Sequence, residues 1–283
     1  MPSGRSTMQA LLPTRLASLP DLVRSTAVDL LVLVGHLFLY PTGISQEQPI
    51  PLPAPATATG ADSLCVLPTE GRAHPPVLLL HGFIDNRSVF VLLRRSLRRH
   101  GWRHLEALNY SPLTCDLRRA AELLARHVEE VCARTGHRRV DLVGHSLGGL
   151  IARYYVQRLG GDARVRTLIT LGTPHAGTRI APLMSAHPLV RQMRPDSPVI
   201  AELSLPAPNC RTRFVAFWSE ADQVMVPAGA ARIDHPDLLA DNVHVPGVGH
   251  LSLPVNGTVA AGIRRALTSA HGLEGRENAI SVA

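Results

Sequence analysis

Arg139-Val140-Asp141-Leu142-Val143-Gly144-His145-Ser146-Leu147-Gly148-Gly149-Leu150-Ile151-Ala152-Arg153-Tyr154-Tyr155-Val156 is the stretch on which the fold turns. An apolar, strand-like run leads into a serine with glycines two residues before and two after it, and a helix-like run follows. This is the nucleophile-elbow pattern, a strand-to-helix turn that pushes one side chain outward. The turn is so tight that Ser146 is expected in a sparsely populated backbone conformation, and a side chain at either glycine position would clash.

Working outward, 283 residues that are 45% hydrophobic are enough for one substantial core, so one α/β domain with an N-terminal extension is expected. All 29 basic residues are arginine. Without a lysine amine there is no Walker-type phosphate loop, no pyridoxal Schiff base and no serine-lysine dyad. The net charge of +7 raises the question of a nucleic-acid partner, but the arginines are scattered and aromatic residues make up only 4%, too few for stacking platforms. No nucleic-acid partner is assigned. Arg94, Arg95, Arg98 and Arg99 read as the solvated side of a helix whose other side carries Val89, Leu92, Leu93 and Leu97, with contact to anionic lipid headgroups as the alternative. Cys65, Cys115, Cys132 and Cys210 contain no Cys-x-x-Cys pair and read as buried thiols, with disulfides left open. The fourteen histidines form no metal-ligand pattern, so neither a metal nor a cofactor is assigned.

Residues 22–40 predict a helix of membrane-like hydrophobicity, interrupted by Asp29 and His36, each costly at a bilayer centre. Its arginine-rich leader is too long and its Ala-x-Ala candidates too distant for a convincing cleavable signal peptide. A surface anchor or a docked helix remains, the chain's one candidate for membrane association. Prolines 41, 49, 51, 53 and 55 mark an extended linker. Residues 1–60 are thus an N-terminal helix and linker, 61–272 the main domain and 273–283 a tail; the core from Asp62 onward is expected to fold and act alone.

Within that domain, strand-like runs alternate with helical ones. Val77 to Leu80 precedes Ser88 to Arg99, and Leu105 to Asn109 precedes Asp116 to Thr135, where Thr114 or Asp116 can cap the start and Gly136 the end. Val140 to Val143, Thr167 to Leu171, Phe214 to Trp218 and Val243 to Val245 follow, then a helix from about Pro254 to Ala270. The alternation predicts a mostly parallel sheet with helices on both faces. Residues 178–208, rich in proline, break the rhythm and read as a cap over the site, the alternative being an irregular surface excursion.

A serine hydroxyl needs a histidine to take its proton and a carboxylate to orient that histidine, and in this type of fold both follow the serine in the chain. Val243-His244-Val245 runs through two glycines into His250, whereas His244 lies inside the strand and His145 inside the elbow, where it is expected to pack. Phe214 to Trp218 runs into Glu220 and Asp222; Asp222, at the start of a turn, is favoured over Glu220. Two backbone donors are needed for an oxyanion, and the amides of Leu147 and Phe83 are assigned. His81 is read as a hydrogen-bonded core histidine that shapes the Phe83 loop.

His81-Gly82-Phe83, Gly144-His145-Ser146-Leu147-Gly148-Gly149, Gly172-Thr173-Pro174-His175-Ala176-Gly177, Asp222 and Val248-Gly249-His250 together resemble the bacterial lipase and esterase branch of the α/β-hydrolase family, over roughly residues 75–270. The resemblance implies hydrolysis of carboxylic esters, especially lipid acyl esters, through an acyl-enzyme on Ser146 with His250 and Asp222, and no obligatory metal. Transfer of the acyl group to an alcohol, and a catalytically silent lipid-binding protein on the same fold, are the alternatives.

Overall fold

The computed structural model of the chain describes residues 18–39, 74–83, 85–109, 116–179 and 187–280. Cys65, Cys115, Thr114 and the linker prolines lie outside them. Among the described residues, six strands form one parallel sheet: β1 (Val77–Leu80), β2 (Leu105–Leu108), β3 (Val140–His145), β4 (Val165–Leu171), β5 (Arg213–Trp218) and β6 (Leu239–His244). Their order is β2-β1-β3-β4-β5-β6. Every adjacent pair runs in the same direction, so the loops that follow β1, β3, β4, β5 and β6 all emerge at one edge.

Two-residue alternation sends neighbouring side chains of each strand to opposite faces, and each face has its own core. On one face Leu78, Leu80, Leu142, Leu168 and Phe214 pack beneath the helices α3 (Leu117–Thr135) and α4 (Leu147–Arg158). On the other, Val77, Leu79, Val143, Ile169 and Phe217 pack beneath α2 (Val91–Arg99) and α7 (Gly257–Ile280). The spacing of Leu117, Ala121, Leu124, Val128 and Val131 makes α3 an amphipathic helix with a fully buried stripe. Asp116 caps its start by accepting from the Arg118 amide, and Gly136 closes its end at φ 73°.

Three expectations change. On α2, Leu93 and Leu97 are buried, but Leu92 is 56% exposed, because a nine-residue helix facing the sheet with one edge has room for only one apolar row. β3 carries its pairing through His145, so the elbow serine is the first residue beyond the ladder. The last helix runs to Ile280, past Gly272 and Gly275; glycine lowers helix stability without blocking the hydrogen-bond ladder as proline does.

The 178–208 region contributes two short helices, α5 (Pro188–Gln192) and α6 (Pro198–Ser204), each begun by a side-chain cap, His187 or Ser197, and a proline in the first turn. Leu189, Val190, Met193, Val199, Ile200 and Leu203 anchor this region in the core that α4 shares. The N-terminal helix α1 (Leu19–Leu39) is docked, with Ser25 buried against the loop after β5. Its outward face leaves Leu19, Val23, Leu30 and Leu31 exposed.

Inside the sheet, Arg166 on β4 makes a two-pronged pair with Asp141 on β3, at 3.0 and 2.5 Å, and its second nitrogen also donates to the Leu267 carbonyl on α7 at 3.0 Å. Both side chains are shut off from solvent. Removing one partner of such a pair strands a buried charge, so Arg166→Met is expected to lower stability by about 3–5 kcal/mol, read from urea unfolding. The double replacement Asp141→Leu/Arg166→Met is expected to recover most of that loss; a single variant as stable as the parent would contradict the burial of the pair.

Candidate active site

The elbow forms at the junction of β3 and α4. Ser146 has φ 51° and ψ −118°, outside the regions that L-residues ordinarily occupy. What holds it there is close approach of backbone to backbone. A Cβ on Gly144 would lie 2.5 Å from the Gly149 Cα, and one on Gly148 would overlap the Leu80 carbonyl oxygen at the end of β1. The Ser146 amide donates to the Leu171 carbonyl at 2.9 Å, and its own carbonyl accepts from the Gly149 amide and the Thr173 hydroxyl, both at 3.0 Å. Thr173 therefore ties the elbow to the Gly172-Thr173-Pro174-His175-Ala176-Gly177 turn after β4. The Leu147 amide is among the first N–H groups of α4, which have no acceptor within their own helix.

The loop after β1 comes down on the elbow. His81 is buried and its Nδ1 hydrogen-bonds the Gly82 carbonyl at 2.8 Å; burial holds its pKa below the ordinary imidazole value despite that bond. Gly82 is the point of closest approach, since a Cβ there would lie 2.9 Å from Asp85 Oδ2, 3.1 Å from His145 Nδ1 and 3.4 Å from the Ser146 Cβ. Phe83, half-buried, meets the His187 ring edge-on with centroids 4.7 Å apart. The start of α5 thus stands beside the Phe83 loop.

Asp222, four residues beyond β5, and His250, six beyond β6, meet in a hydrogen bond of 2.8 Å between Oδ2 and Nδ1, both side chains almost fully buried. The other Asp222 oxygen accepts from the amides of Val224 and Met225, at 3.0 and 3.1 Å, fixing the carboxylate plane. Gly172, at φ +52°, makes room for the pair: a Cβ there would sit 2.8 Å from Asp222 Oδ2 and 3.0 Å from His250 Nδ1. Glu220 is turned away, accepting from the Gly247 amide at 3.3 Å and pairing with His244. Burial alone would lower the His250 pKa; the Asp222 charge and hydrogen bond outweigh it, and Asp85 and Asp29 add to them, so the imidazole titrates above its ordinary range.

Two carboxylates near this histidine escaped the sequence reading. Asp85 bonds His145 Nδ1 at 3.0 Å, while His145 Nε2 faces the His250 carbonyl at 3.2 Å and the two rings lie 4.8 Å apart. His145 therefore does more than fill space, since it connects the β1 loop to the His250 loop. Asp29, on α1, takes hydrogen bonds from the residues just after His250. The signal for Asp29 was present, a carboxylate within an apolar helix; for Asp85, four residues past His81, nothing local marked it out.

His175 is buried in a different role. Its Nε2 meets the Thr170 hydroxyl at 2.9 Å, and Arg153 from α4 donates to its carbonyl at 3.0 Å and to the Leu203 carbonyl at 3.0 Å. Burial and then the Arg153 charge keep His175 well below the ordinary imidazole range, while burial draws Arg153 down to about 10. This cluster fastens α6 to the sheet. Cys132 and Cys210 are free thiols whose pKa values burial raises, Cys210 to about 11.

A family model described as palmitoyl protein thioesterase matches residues 76–228, from the start of β1 past Asp222. A triacylglycerol lipase of Pseudarthrobacter phenanthrenivorans is 35% identical over 115 residues, which are 38% of this chain and 35% of that protein. A triacylglycerol lipase of Burkholderia plantarii is also 35% identical over 115 residues, covering 38% and 31%. The chain thus spans about a third of the length of these curated relatives. Among solved structures, Aspergillus fumigatus lipase B superposes with a TM-score of 0.62 at 18% identity, over 83% of this chain and 66% of that one, a likeness of fold. With the family model spanning more than half of its length and the sheet, elbow and loop order described above, this chain belongs to the palmitoyl protein thioesterase family of α/β-hydrolases.

Proposed function

We propose that this protein is a serine hydrolase that cleaves carboxylic esters of lipid acyl chains through an acyl-enzyme on Ser146. The observation that carries the reading is the buried 2.8 Å bond between Asp222 and His250 at the sheet edge where the Ser146 elbow emerges. In this reading His250 Nε2 takes the Ser146 proton as Oγ attacks the acyl carbonyl, and Asp222 holds the Nδ1–H tautomer and stabilises the imidazolium. The amides of Leu147 and Phe83 receive the developing oxyanion. His250 then protonates the leaving alkoxide, and water, activated by the same histidine, releases the fatty acid. A thioester, the substrate class in the family's description, would follow the same path with a thiolate leaving. The names of the lipase relatives favour oxygen esters of glycerol as the first substrates to try.

The outward face of α1 supports a lipid surface as partner. Leu19, Leu31 and Val23 are 75%, 72% and 63% exposed, far more than a helix packed on a core would leave uncovered, and the exposed Arg24 lies among them. No described helix is long and apolar enough to cross a membrane, so contact of this kind lies along the surface.

Four outcomes test these readings. A fluorophosphonate probe is expected to label Ser146, and Ser146→Ala is expected to lose both labelling and about 10⁶-fold in turnover of a short-chain p-nitrophenyl ester; labelling of another serine would overturn the assignment. Asp222→Asn is expected to lower turnover by about 10³- to 10⁴-fold and Glu220→Gln to change little, the reverse ranking moving the acid upstream. Because His250 holds its proton to higher pH than a free imidazole, the acid limb of kcat/KM in the parent is expected to have its midpoint above the ordinary value of about 6.5. In flotation assays with phosphatidylglycerol-containing vesicles, Leu30→Ser/Leu31→Ser is expected to release the protein while leaving hydrolysis of the soluble ester unchanged, and undiminished flotation would remove α1 as the contact.

A further inference from the structure

We propose that Asp29, on the N-terminal helix, is a positioning residue that holds His250 in place for catalysis. The inference rests on the reading of His250 as the catalytic base.

Asp29 sits on the inward line of α1, with Leu22, Ser25, Val32 and Leu33, while the neighbouring Val28, Leu30 and Leu31 face outward. Its Oδ1 accepts from the Ser252 amide at 3.0 Å and the Ser252 hydroxyl at 2.6 Å, and its Oδ2 from the Leu251 amide at 3.3 Å. One carboxylate therefore takes three donors from the two residues that follow His250. On the preceding side, a Cβ on Gly249 would come within 2.5 Å of the Asp29 Cγ, so only glycine lets the loop lie against the carboxylate. The residues on both sides of the histidine thus rest on a single group from an element more than 200 residues away.

The same helix also grips the acid's loop. The Ser25 hydroxyl, which lies 3.0 Å from the Leu22 carbonyl of its own helix, also reaches the Ala221 carbonyl at 3.4 Å, and the Gln223 side chain donates to the Leu22 carbonyl at 3.5 Å and to the Thr26 hydroxyl. Ala221 and Gln223 flank Asp222. So α1 bridges the two loops that bring Asp222 and His250 together, and its hydrogen bonds converge on neighbours of the pair without touching the pair itself. Charge-assisted bonds to backbone amides are short and directional, and they fix a loop more firmly than its own backbone would. Misplacing a reacting group by about 1 Å costs about 100-fold in rate, so a support of this kind has kinetic weight.

The charged and titratable groups that face His250 are Asp222 from the β5 loop, Asp85 from the β1 loop, His145 from β3 and Asp29 from α1. Each of the three carboxylates favours the protonated imidazole. Removing the Asp29 charge therefore lowers the His250 pKa, and the acid limb of kcat/KM moves to lower pH even as the rate falls. A merely structural contact would lower the rate without moving the limb. A chain shortened to begin near Asp62 also loses Asp29, so it is expected to lose activity on soluble esters and not to retain it.

The test uses the full chain and a soluble short-chain ester. Asp29→Asn is expected to lower kcat by about 10- to 100-fold with little change in KM and to shift the acid limb downward. Asp21→Asn, which removes a charge from the exposed first turn of the same helix, is expected to leave both unchanged. Ser252→Ala, which deletes one donor and keeps the charge, is expected to lower kcat severalfold without moving the limb. Asp29→Asn with parental kcat and an unmoved limb would overturn the proposal, as would parental kcat in Ser252→Ala should Asp29→Asn fail to fold. Titration of the His250 ring by NMR keeps the two readings apart. If the parent has no esterase activity, the proposed function fails, whereas parental kcat together with an unchanged His250 midpoint in Asp29→Asn refutes the positioning role itself.

Discussion

The whole site depends on how closely backbone can approach backbone at the elbow. Gly144 and Gly148 let β3, the start of α4 and the end of β1 share a space in which no Cβ fits, Gly149 leaves room for the Thr173 side chain, and that crowding keeps Ser146 at a positive φ. Strain of this kind costs on the order of 1–3 kcal/mol and persists only where the surroundings over-determine it. Here the surroundings are two central strands of a parallel sheet, whose ladders cannot slip by one residue without moving every side chain from one packed core to the other. Because all six strands run the same way, the loops that carry His81 to Phe83, Gly172, Asp222 and His250 leave the edge where the elbow sits. The order of these groups in the chain becomes, through the sheet, a set of neighbours in space.

How much of this was legible in the residues varies with the range of the interaction. β1 to β5 lie close to their apolar runs, whereas β6 begins at Leu239, four residues before the expected Val243, because this mostly exposed edge strand is set by its pairing with β5 and not by apolar residues; the Asp116 cap and Gly136 terminator of α3 follow from local chemistry that acts within a turn. The elbow was readable because glycines on both sides of a serine between strand and helix have a steric meaning wherever they occur. Leu92 was misjudged because helical spacing counts apolar residues without knowing how wide a strip the sheet can cover. The last helix extends to Ile280, beyond the expected end near Ala270, because the glycines at 272 and 275 weaken a helix without breaking its hydrogen-bond ladder.

Long-range carboxylates were the least legible. Asp85 and Asp29 reach the His250 region from sequence distances at which no periodicity or motif acts, and what fixes them is the fold itself. Asp29 stands out in the sequence as a carboxylate in an apolar helix, which argues against membrane insertion. A charge in such a helix marks a partner as readily as it marks a conflict, and the partner here is the backbone beyond the histidine. The arrangement gives α1 two unlike faces. One is a line of polar bonds to the loops that bear Asp222 and His250, and the other is an exposed apolar surface of the kind that meets lipid.

The central claim is that Ser146 carries the acyl group between its donor and water. The most direct measurement is acid quenching during turnover of a slowly deacylated ester, followed by digestion and mass spectrometry of the peptides. The account predicts a mass increase equal to the acyl group on the peptide that contains Ser146, absent in Ser146→Ala. An acyl group found on a different residue, or turnover that persists in Ser146→Ala, would contradict it.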